Sequence, residues 1–535
     1  MKYNPSLYTY PSRRNVVYAK KGMIATSQPM AAQAGLAVLK SGGNAIDAAV
    51  AAAACLTVVE PTSNGIGGDL FALVWTGGKL YGLNSSGPAP KLISAKQLRD
   101  KGYTEMPTHG WAPVTVPGIP AGWATLSEKF GRLSLKASLI PAINYAREGY
   151  PVSLTTSQNW QTAHESYKKL LKGDEFKHWF ETFAPNGRAP KPGEIWRSDD
   201  HALSLESIGD SNGKSFYQGE LADKIDDFSR QYGGHLRKDD LLNFKPQWVE
   251  PISINYRGYD VWEIPPNGHG IVALMALNIA KGFEFTDKEN IDTYHKQIEA
   301  MKLAYIDGKQ YISDPMAMGV KIEELLSESY AVKRRELISD GAMMPEPGNP
   351  SQGGTVYLAT ADGEGNMVSL IQSNYKGFGS GLVVPGTGIA LHNRGNNFVL
   401  DENHCNCVAG GKRPYHTIIP GFLTKKGKAV GPFGVMGGFM QPQGHMQVIM
   451  NTIDFHMNPQ QALDAPRWQW IEGKQIQVEP NFPVSIMEEL IKKGHQVSVQ
   501  EDINKFGRGQ IIWRTDEGSL CGGTEPRTDG SIAVW

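Results

Sequence analysis

The position that most constrains this chain is Thr355, which stands directly behind Gly353 and Gly354 and opens an extended segment. Upstream, Glu346 to Gly354 is built of Pro, Gly, Asn, Ser, Gln and Glu, and reads as an irregular loop. Downstream, Thr355 to Ala361 and Met367 to Ser373 have strand patterning and are joined through Asp362 to Asn366 as a hairpin. A threonine hydroxyl is a weak nucleophile, and one remedy is to make it the first residue of a chain, so that its own α-amine serves as base. That requires cutting the Gly354–Thr355 bond. The glycines give the backbone freedom to turn the scissile amide toward the hydroxyl for an N-to-O acyl shift. The triplet alone reads more readily as a plain loop entering a strand.

The remaining sequence sets the frame. With 535 residues and 40% apolar content the chain can bury a large core, and a net charge of −1 gives it no electrostatic reason to bind nucleic acid or an anionic membrane. Sixty Gly and 33 Pro predict many loops and turns. Four cysteines do not form a disulfide framework, and Met1 to Gly22 lacks the apolar stretch of a secretory signal, so a cytoplasmic location is expected. Ala45 to Val59 contains Asp47 and is too short to span a bilayer, so it reads as a buried helix, capped by Asn44 and ended by Pro61. Ser27 is the expected cap of the preceding helix. Leu70 to Trp75 and Lys79 to Leu83 read as a hairpin, and Leu92 to Tyr330 as largely helical. Lys333 to Arg335 is taken as a solvated helix face. His404, Cys405 and Cys407 are too tightly spaced for a common zinc site, and Asn64 to Asp69 lacks the Lys-Ser/Thr of a phosphate loop.

Several ordered segments resemble the γ-glutamyltransferase (γ-glutamyltranspeptidase) family of N-terminal-nucleophile (Ntn) hydrolases. They are Ser41 to Val50, Glu60 to Asp69, Thr115 to Gly118, Pro265 to Gly270, Thr355 to Val368, Gly377 to Gly381, Lys412 to Pro414 and Gly437-Gly438. The resemblance implies an α+β fold, the αββα four-layer Ntn-hydrolase sandwich, autoprocessed into a large subunit (1–354) and a small subunit (355–535). It implies Thr355 as nucleophile, Ser373 as the hydroxyl that steers it, and the backbone amides of Gly437 and Gly438 as the oxyanion hole. It implies neither cofactor nor metal. The partners expected are a small amide, no nucleic acid and no membrane, with the two fragments forming a heterodimer and a dimer of such pairs the next assembly to consider.

The grips of a γ-glutamyl enzyme on its donor are missing. Ser86 falls where the family has a carboxylate-binding arginine, His416 and Thr417 replace a serine pair, Asn397 replaces the amine-binding carboxylate, and Tyr375 stands where an asparagine is frequent. An asparagine offers a substrate ammonium a dipole and no charge. Gly354 replaces the frequent acidic residue before the nucleophile. These traits, with Met436 to His445, resemble the acylase-like branch (cephalosporin acylase-like, oxamate amidohydrolase-like). The expected activity is hydrolysis, or transfer, of the acyl group of a small, anionic γ-glutamyl, glutaryl or oxamate-like amide. Arg394 and His416 are the candidate carboxylate contacts, with Ser86, Asn397 and Tyr375 around them. The alternative is an uncleaved, catalytically silent relative with a binding or structural role.

Overall fold

The computed structural model describes residues 14–345 and 354–535. The loop expected at Glu346 to Gly354 lies, up to residue 353, outside the described residues. Two seven-stranded sheets face each other. In the first, the strands run in the spatial order Ser531–Val534, Gly22–Thr26, Gly354–Asp362, Met367–Tyr375, Asp69–Thr76, Lys79–Ser85 and Gln247–Val249. In the second the order is Val17–Ala19, Leu520–Thr524, Arg508–Arg514, Lys428–Met436, Gly421–Lys425, Tyr259–Glu263 and Ile252–Tyr256. Each sheet therefore mixes strands from either side of Thr355.

Side-chain alternation explains the layering. Along Gly354–Asp362, Tyr357, Ala359 and Ala361 point into the core between the sheets, with Phe71, Ile371, Phe422 and Met436. Val356 and Leu358 point the other way, into a core shared with the helices Pro29–Lys40, Ala45–Val59 and Leu135–Glu148. The outer face of the second sheet is covered by Gly270–Ala280, Ile291–Tyr311 and Gln441–Ile453. Helix, sheet, sheet and helix make the αββα sandwich. Ala45–Val59 is buried along its whole length, because alanine lets it lie close to the sheet and to neighbouring helices. A capping box between Asn44 and Asp47 closes its N-terminus, a feature typically worth about 1 kcal/mol.

Two local expectations need correction, and a third, the largely helical middle, holds with short strands added. Gln28, not Ser27, occupies the N-cap of Pro29–Lys40, and the Ser27 hydroxyl bonds the buried carboxylate of Glu60 at 2.5 Å. The middle of the chain is not only helical, since Gln247–Val249, Ile252–Tyr256 and Tyr259–Glu263 supply edge strands to both sheets. Lys333 to Arg335 is not a purely solvated face. Arg334 pairs with Asp307 (Nε to Oδ2 2.8 Å), and Arg335 donates to the carbonyls of Asn278 and Ile279. Among the described residues no helix is long and apolar enough to cross a membrane.

Candidate active site

The hairpin that begins at Gly354 sets the geometry. Tyr357 and Leu358 pair with Ile371 and Leu370, and the register shifts by a bulge between Gly354 and Val356, so that Gly354 sits opposite Tyr375. Thr355 Oγ1 donates to Ser373 Oγ at 3.1 Å, and Ser373 Oγ accepts the Tyr375 N–H at 2.7 Å. Tyr375 has φ +75°, a left-handed conformation that a bulky residue adopts at a cost, and this turns the chain sharply just past Ser373. Thr355 and Ser373 are fully buried in the intact chain.

On the neighbouring strand, Asp69 is the register partner of Ser373 and belongs to the same inward-facing row as Phe71 and Leu73. Its carboxylate gathers four groups. Oδ2 accepts the His416 Nε2–H at 2.9 Å and lies 3.3 Å from His392 Nδ1 and 3.8 Å from Arg394 Nε, while Oδ1 accepts the Gly87 N–H at 3.2 Å. Burial alone would raise this carboxyl, but His392 and His416 outweigh burial and hold it below the usual carboxylate range. Burial, reinforced by Arg394, pushes the His416 imidazole down to about 3, so His416 is neutral and donates from Nε2.

Arg394 is wholly buried. Nη1 donates to Thr417 Oγ1 at 2.7 Å, whereas Nε and Nη2 have no hydrogen-bond partner among the described residues. The guanidinium lies 4.4 Å from the Tyr375 ring centroid, within cation–π range. Burial lowers its pKa to about 10, with Asp69 and Tyr375 opposing the shift, so it stays charged at neutral pH.

The second sheet delivers the glycines. Gly434 lies against the Tyr357 ring, where an added Cβ would come within 2.4 Å of it, and three residues later Gly437 follows the strand's last residue, Met436. Gly437 and Gly438 have φ of 137° and 59°, open to glycine and strained for other residues, and they lead into the helix Gln441–Ile453. Their backbone therefore sits near the electropositive N-terminus of that helix.

Two cavities are lined by Gly437 and by chain neighbours of these groups, though not by Thr355, Ser373, Asp69 or Arg394. Asn397, Tyr415 and Lys309 line one of about 1070 Å³, and Gly437, Arg508 and Trp470 line another of about 640 Å³; Lys376 and Phe439 belong to both. Asn397 Nδ2 is buried without a hydrogen-bond partner among the described residues. Two of the expected contacts are turned elsewhere. His416 spends Nε2 on Asp69, and its Nδ1 accepts the Ile418 N–H at 3.3 Å. Ser86 Oγ donates to Asn84 Oδ1 at 2.8 Å and accepts from Asn267 Nδ2 at 3.3 Å.

Asp69 and His392 are members of the site that the sequence reading does not single out, and Thr417 enters it only as a replaced grip. A signal for Asp69 was present: strand alternation puts this carboxylate on the same face as Phe71 and Leu73, where a charge needs a partner. His392 had no local signal, because its role depends on contacts between distant segments, whereas Thr417 was marked by its place in the replaced serine pair.

Among the described residues His295, Glu299 and His495 can bring their ligand atoms within 4.8 Å of one another. Lys302 Nζ already donates to Glu299 Oε1 at 2.7 Å, which places an ammonium where a divalent cation would bind. Cys405 Sγ is directed at the Gln310 carbonyl at 3.4 Å, and His404 Nδ1 accepts the Asn406 N–H.

Residues 31–535 match the family described as gamma-glutamyltranspeptidase. The chain is 37% identical over 528 residues to a glutathione hydrolase-like YwrD proenzyme of Bacillus subtilis (strain 168), covering 96% of this chain and 98% of that one. It is 33% identical to an oxamate amidohydrolase proenzyme of Klebsiella pneumoniae subsp. pneumoniae, with the same coverage. Its fold superposes on the crystal structure of a cephalosporin acylase from Bacillus halodurans with a TM-score of 0.98 at 63% identity, over 100% of this chain and 99% of that one. The αββα architecture and the full-length similarity together establish that the chain is an enzyme of the gamma-glutamyltranspeptidase family of Ntn hydrolases.

Proposed function

We propose that the chain cleaves itself between Gly354 and Thr355, giving a large subunit of 1–354 and a small subunit of 355–535, and then hydrolyses small amides whose acyl group carries a carboxylate. Thr355 Oγ attacks the amide carbon, its proton passes to the freed α-amine, and that amine protonates the leaving nitrogen as the C–N bond breaks. A water, deprotonated by the same amine, then attacks the Thr355 ester and releases the acid. Ser373 steers the hydroxyl. Gly437 and Gly438 N–H groups receive the oxyanion, each such donor typically worth about 2.7–4 kcal/mol of barrier.

One observation carries the acyl preference: Arg394 is a buried guanidinium with two nitrogens lacking hydrogen-bond partners among the described residues, 3.8 Å from Asp69, the register partner of Ser373. A carboxylate supplies the fork of acceptors that these nitrogens need. His416 acts through Asp69 in this reading and not on substrate, while Asn397 and Tyr375 shape the acyl side and Ser86 buttresses it from behind. The similarity to an oxamate amidohydrolase and a cephalosporin acylase supports an acylase-like preference over a γ-glutamyl one.

Denaturing electrophoresis with N-terminal sequencing tests the cleavage; the expected small fragment begins Thr355-Val356-Tyr357. An intact chain in active material overturns the mechanism, and an intact, inactive chain unaffected by Thr355→Ala supports the silent alternative. Kinetics on γ-glutamyl, glutaryl and oxamate-type amides test the specificity, and a strong preference for the γ-glutamyl donor would refute it.

A further inference from the structure

The helix that follows the two glycines is held by its own polar side chains, and the proposed reaction has not used them. Gln441 and His445 form one pair at helical spacing, Gln443 and Gln447 another. Gln441 Oε1 accepts the Ile419 N–H at 3.0 Å and His445 Nδ1 lies 2.6 Å from Glu263 Oε1, so the first pair bonds the second sheet and its approach. Gln443 and Gln447 instead bond Trp468–Glu472, the edge strand of a small sheet of three strands. Gln443 accepts the Trp470 N–H at 2.7 Å and donates to the Trp470 carbonyl at 3.1 Å. Gln447 does the same to Trp468, at 3.3 and 2.9 Å. Two side-chain amides thus stand in for a fourth strand and close that edge.

The two glutamines match in one more respect. Each uses another amide hydrogen on the carbonyl four residues earlier, Gln447 on Gln443 at 3.1 Å and Gln443 on Phe439 at 3.3 Å. Only the Phe439 carbonyl belongs to the turn 437–440, which the Met440 N–H closes on the Gly437 carbonyl at 3.0 Å. The Tyr305 hydroxyl, from the helix Ile291–Tyr311, donates to the same Phe439 carbonyl. Both side chains are buried. Two donors occupy both lone pairs of this oxygen, so the Phe439 peptide cannot rotate without breaking a buried hydrogen bond. Gly437 and Gly438, at φ 137° and 59°, have no side chain to restrain them, and the direction of their N–H groups must be set from outside the turn.

We propose that Gln443 and Tyr305 are positioning residues for the oxyanion site: they hold the Phe439 carbonyl, and through it aim the Gly437 and Gly438 N–H groups at the developing negative charge. Gln447, with the same bonds one turn further on, only fastens helix to strand. This assignment rests on the reading of Gly437 and Gly438 above.

Gln443→Met, Gln447→Met and Tyr305→Phe, each in the full-length processed protein, separate holding the turn from holding the helix. With a glutaryl anilide, kcat per small fragment should fall roughly 10- to 100-fold in Gln443→Met and Tyr305→Phe with KM unchanged, less than the roughly 10²- to 10³-fold cost of losing an oxyanion donor outright. Gln447→Met loses the same strand bonds and should keep its kcat while its thermal midpoint drops as far as that of Gln443→Met. Equal kcat losses in the two glutamine variants, a loss confined to the thermal midpoint, or a wild-type kcat in Tyr305→Phe overturns the proposal. The second measurement is amide hydrogen exchange over residues 437–442, which needs no turnover. Faster exchange there in Gln443→Met and Tyr305→Phe but not in Gln447→Met supports the assignment, and unchanged exchange, or an equal rise in all three, overturns it. A wild type that turns over no anilide would defeat the reading of Thr355 and its glycines, while the exchange comparison would still decide whether Gln443 and Tyr305 hold the turn.

Discussion

Two buried polar clusters of this molecule have similar ingredients and opposite bookkeeping. Next to the nucleophile hairpin, Asp69, His392, His416 and Arg394 leave His392 Nδ1 and Arg394 Nε and Nη2 without hydrogen bonds among the described residues. Beneath the outer helices of the second sheet, Glu299, Lys302, His295 and His495 leave no buried side-chain atom unbonded among the described residues. Lys302 Nζ contacts Glu299 Oε1 at 2.7 Å and His495 Nδ1 at 3.5 Å, His495 Nε2 meets His295 Nδ1 at 2.9 Å, His295 Nε2 donates to the Ser339 carbonyl at 2.7 Å, and Glu299 Oε2 accepts the Met343 N–H at 3.2 Å. A buried polar atom without a partner costs free energy, so a cluster that keeps such atoms is poised for a ligand, and one that keeps none is finished. Burial alone does not separate them, since both are sealed from solvent; the count of unmet donors does.

The largest expected effect attacks the first cluster at its reacting atom. Thr355→Ala should leave an uncleaved chain of 58.5 kDa and reduce kcat by at least about 10³-fold, measured by gel and by anilide turnover. Retained activity would dissolve the distinction between a reactive and a structural cluster. Next comes Lys302→Met, which leaves Glu299 buried without its ammonium. The expected loss is about 3–5 kcal/mol of stability, read as a lower thermal midpoint, with KM for a glutaryl anilide unchanged in the folded fraction. A changed KM at full stability would show that the outer cluster is not merely structural.

Arg394→Met should do the reverse. Removing a charged donor pair from the acyl side should lower kcat/KM for a glutaryl amide roughly 10- to 100-fold, while the thermal midpoint moves by less than about 2 °C. Asp69 keeps His416 and the Gly87 N–H as partners, so its carboxylate is not stranded. A large drop in stability with intact specificity would make Arg394 the structural ion of its cluster and overturn the contrast.

How far the sequence could reveal this contrast follows from the distance over which each feature is encoded. The hairpin from Gly354 to Tyr375 is local, and strand alternation alone places Thr355 and Ser373 on one inward face. The Ala45–Val59 helix is equally local, marked by Asn44, Asp47 and its run of alanines. The short strands Ile252–Tyr256 and Tyr259–Glu263 were hidden in a helical stretch because five residues with half-exposed positions give little periodic signal. Arg394 could be proposed from the lost γ-glutamyl grips, yet its orphaned nitrogens and its Asp69 neighbour appear only when the Asp69–Thr76 strand pairs with Met367–Tyr375. His295 and His495 lie 200 residues apart, and nothing in either neighbourhood announces the other.

The smallest expected effect is a pH dependence that sharpens the comparison. Burial, with Lys302 adding to it, pushes the His495 imidazole down to about 3. The folded chain therefore keeps this ring neutral where a histidine of the unfolded chain, near the ordinary value of about 6.5, takes up a proton. The unfolded state binds more protons in that window, so this contribution to stability is complete above about pH 6.5 and is lost as the pH falls toward about 3. One such group gives a slope of up to about 1.4 kcal/mol per pH unit, and His416 and His445, also lowered to about 3, add to it. Urea unfolding between pH 7 and 5 should show His495→Asn losing about one proton's worth of slope. Glutarate should then raise the stability of both proteins through the Arg394 cluster without altering the slope that His495→Asn removed. If glutarate flattens that part of the slope instead, the two clusters respond to one ligand, and the division into a poised and a finished cluster fails.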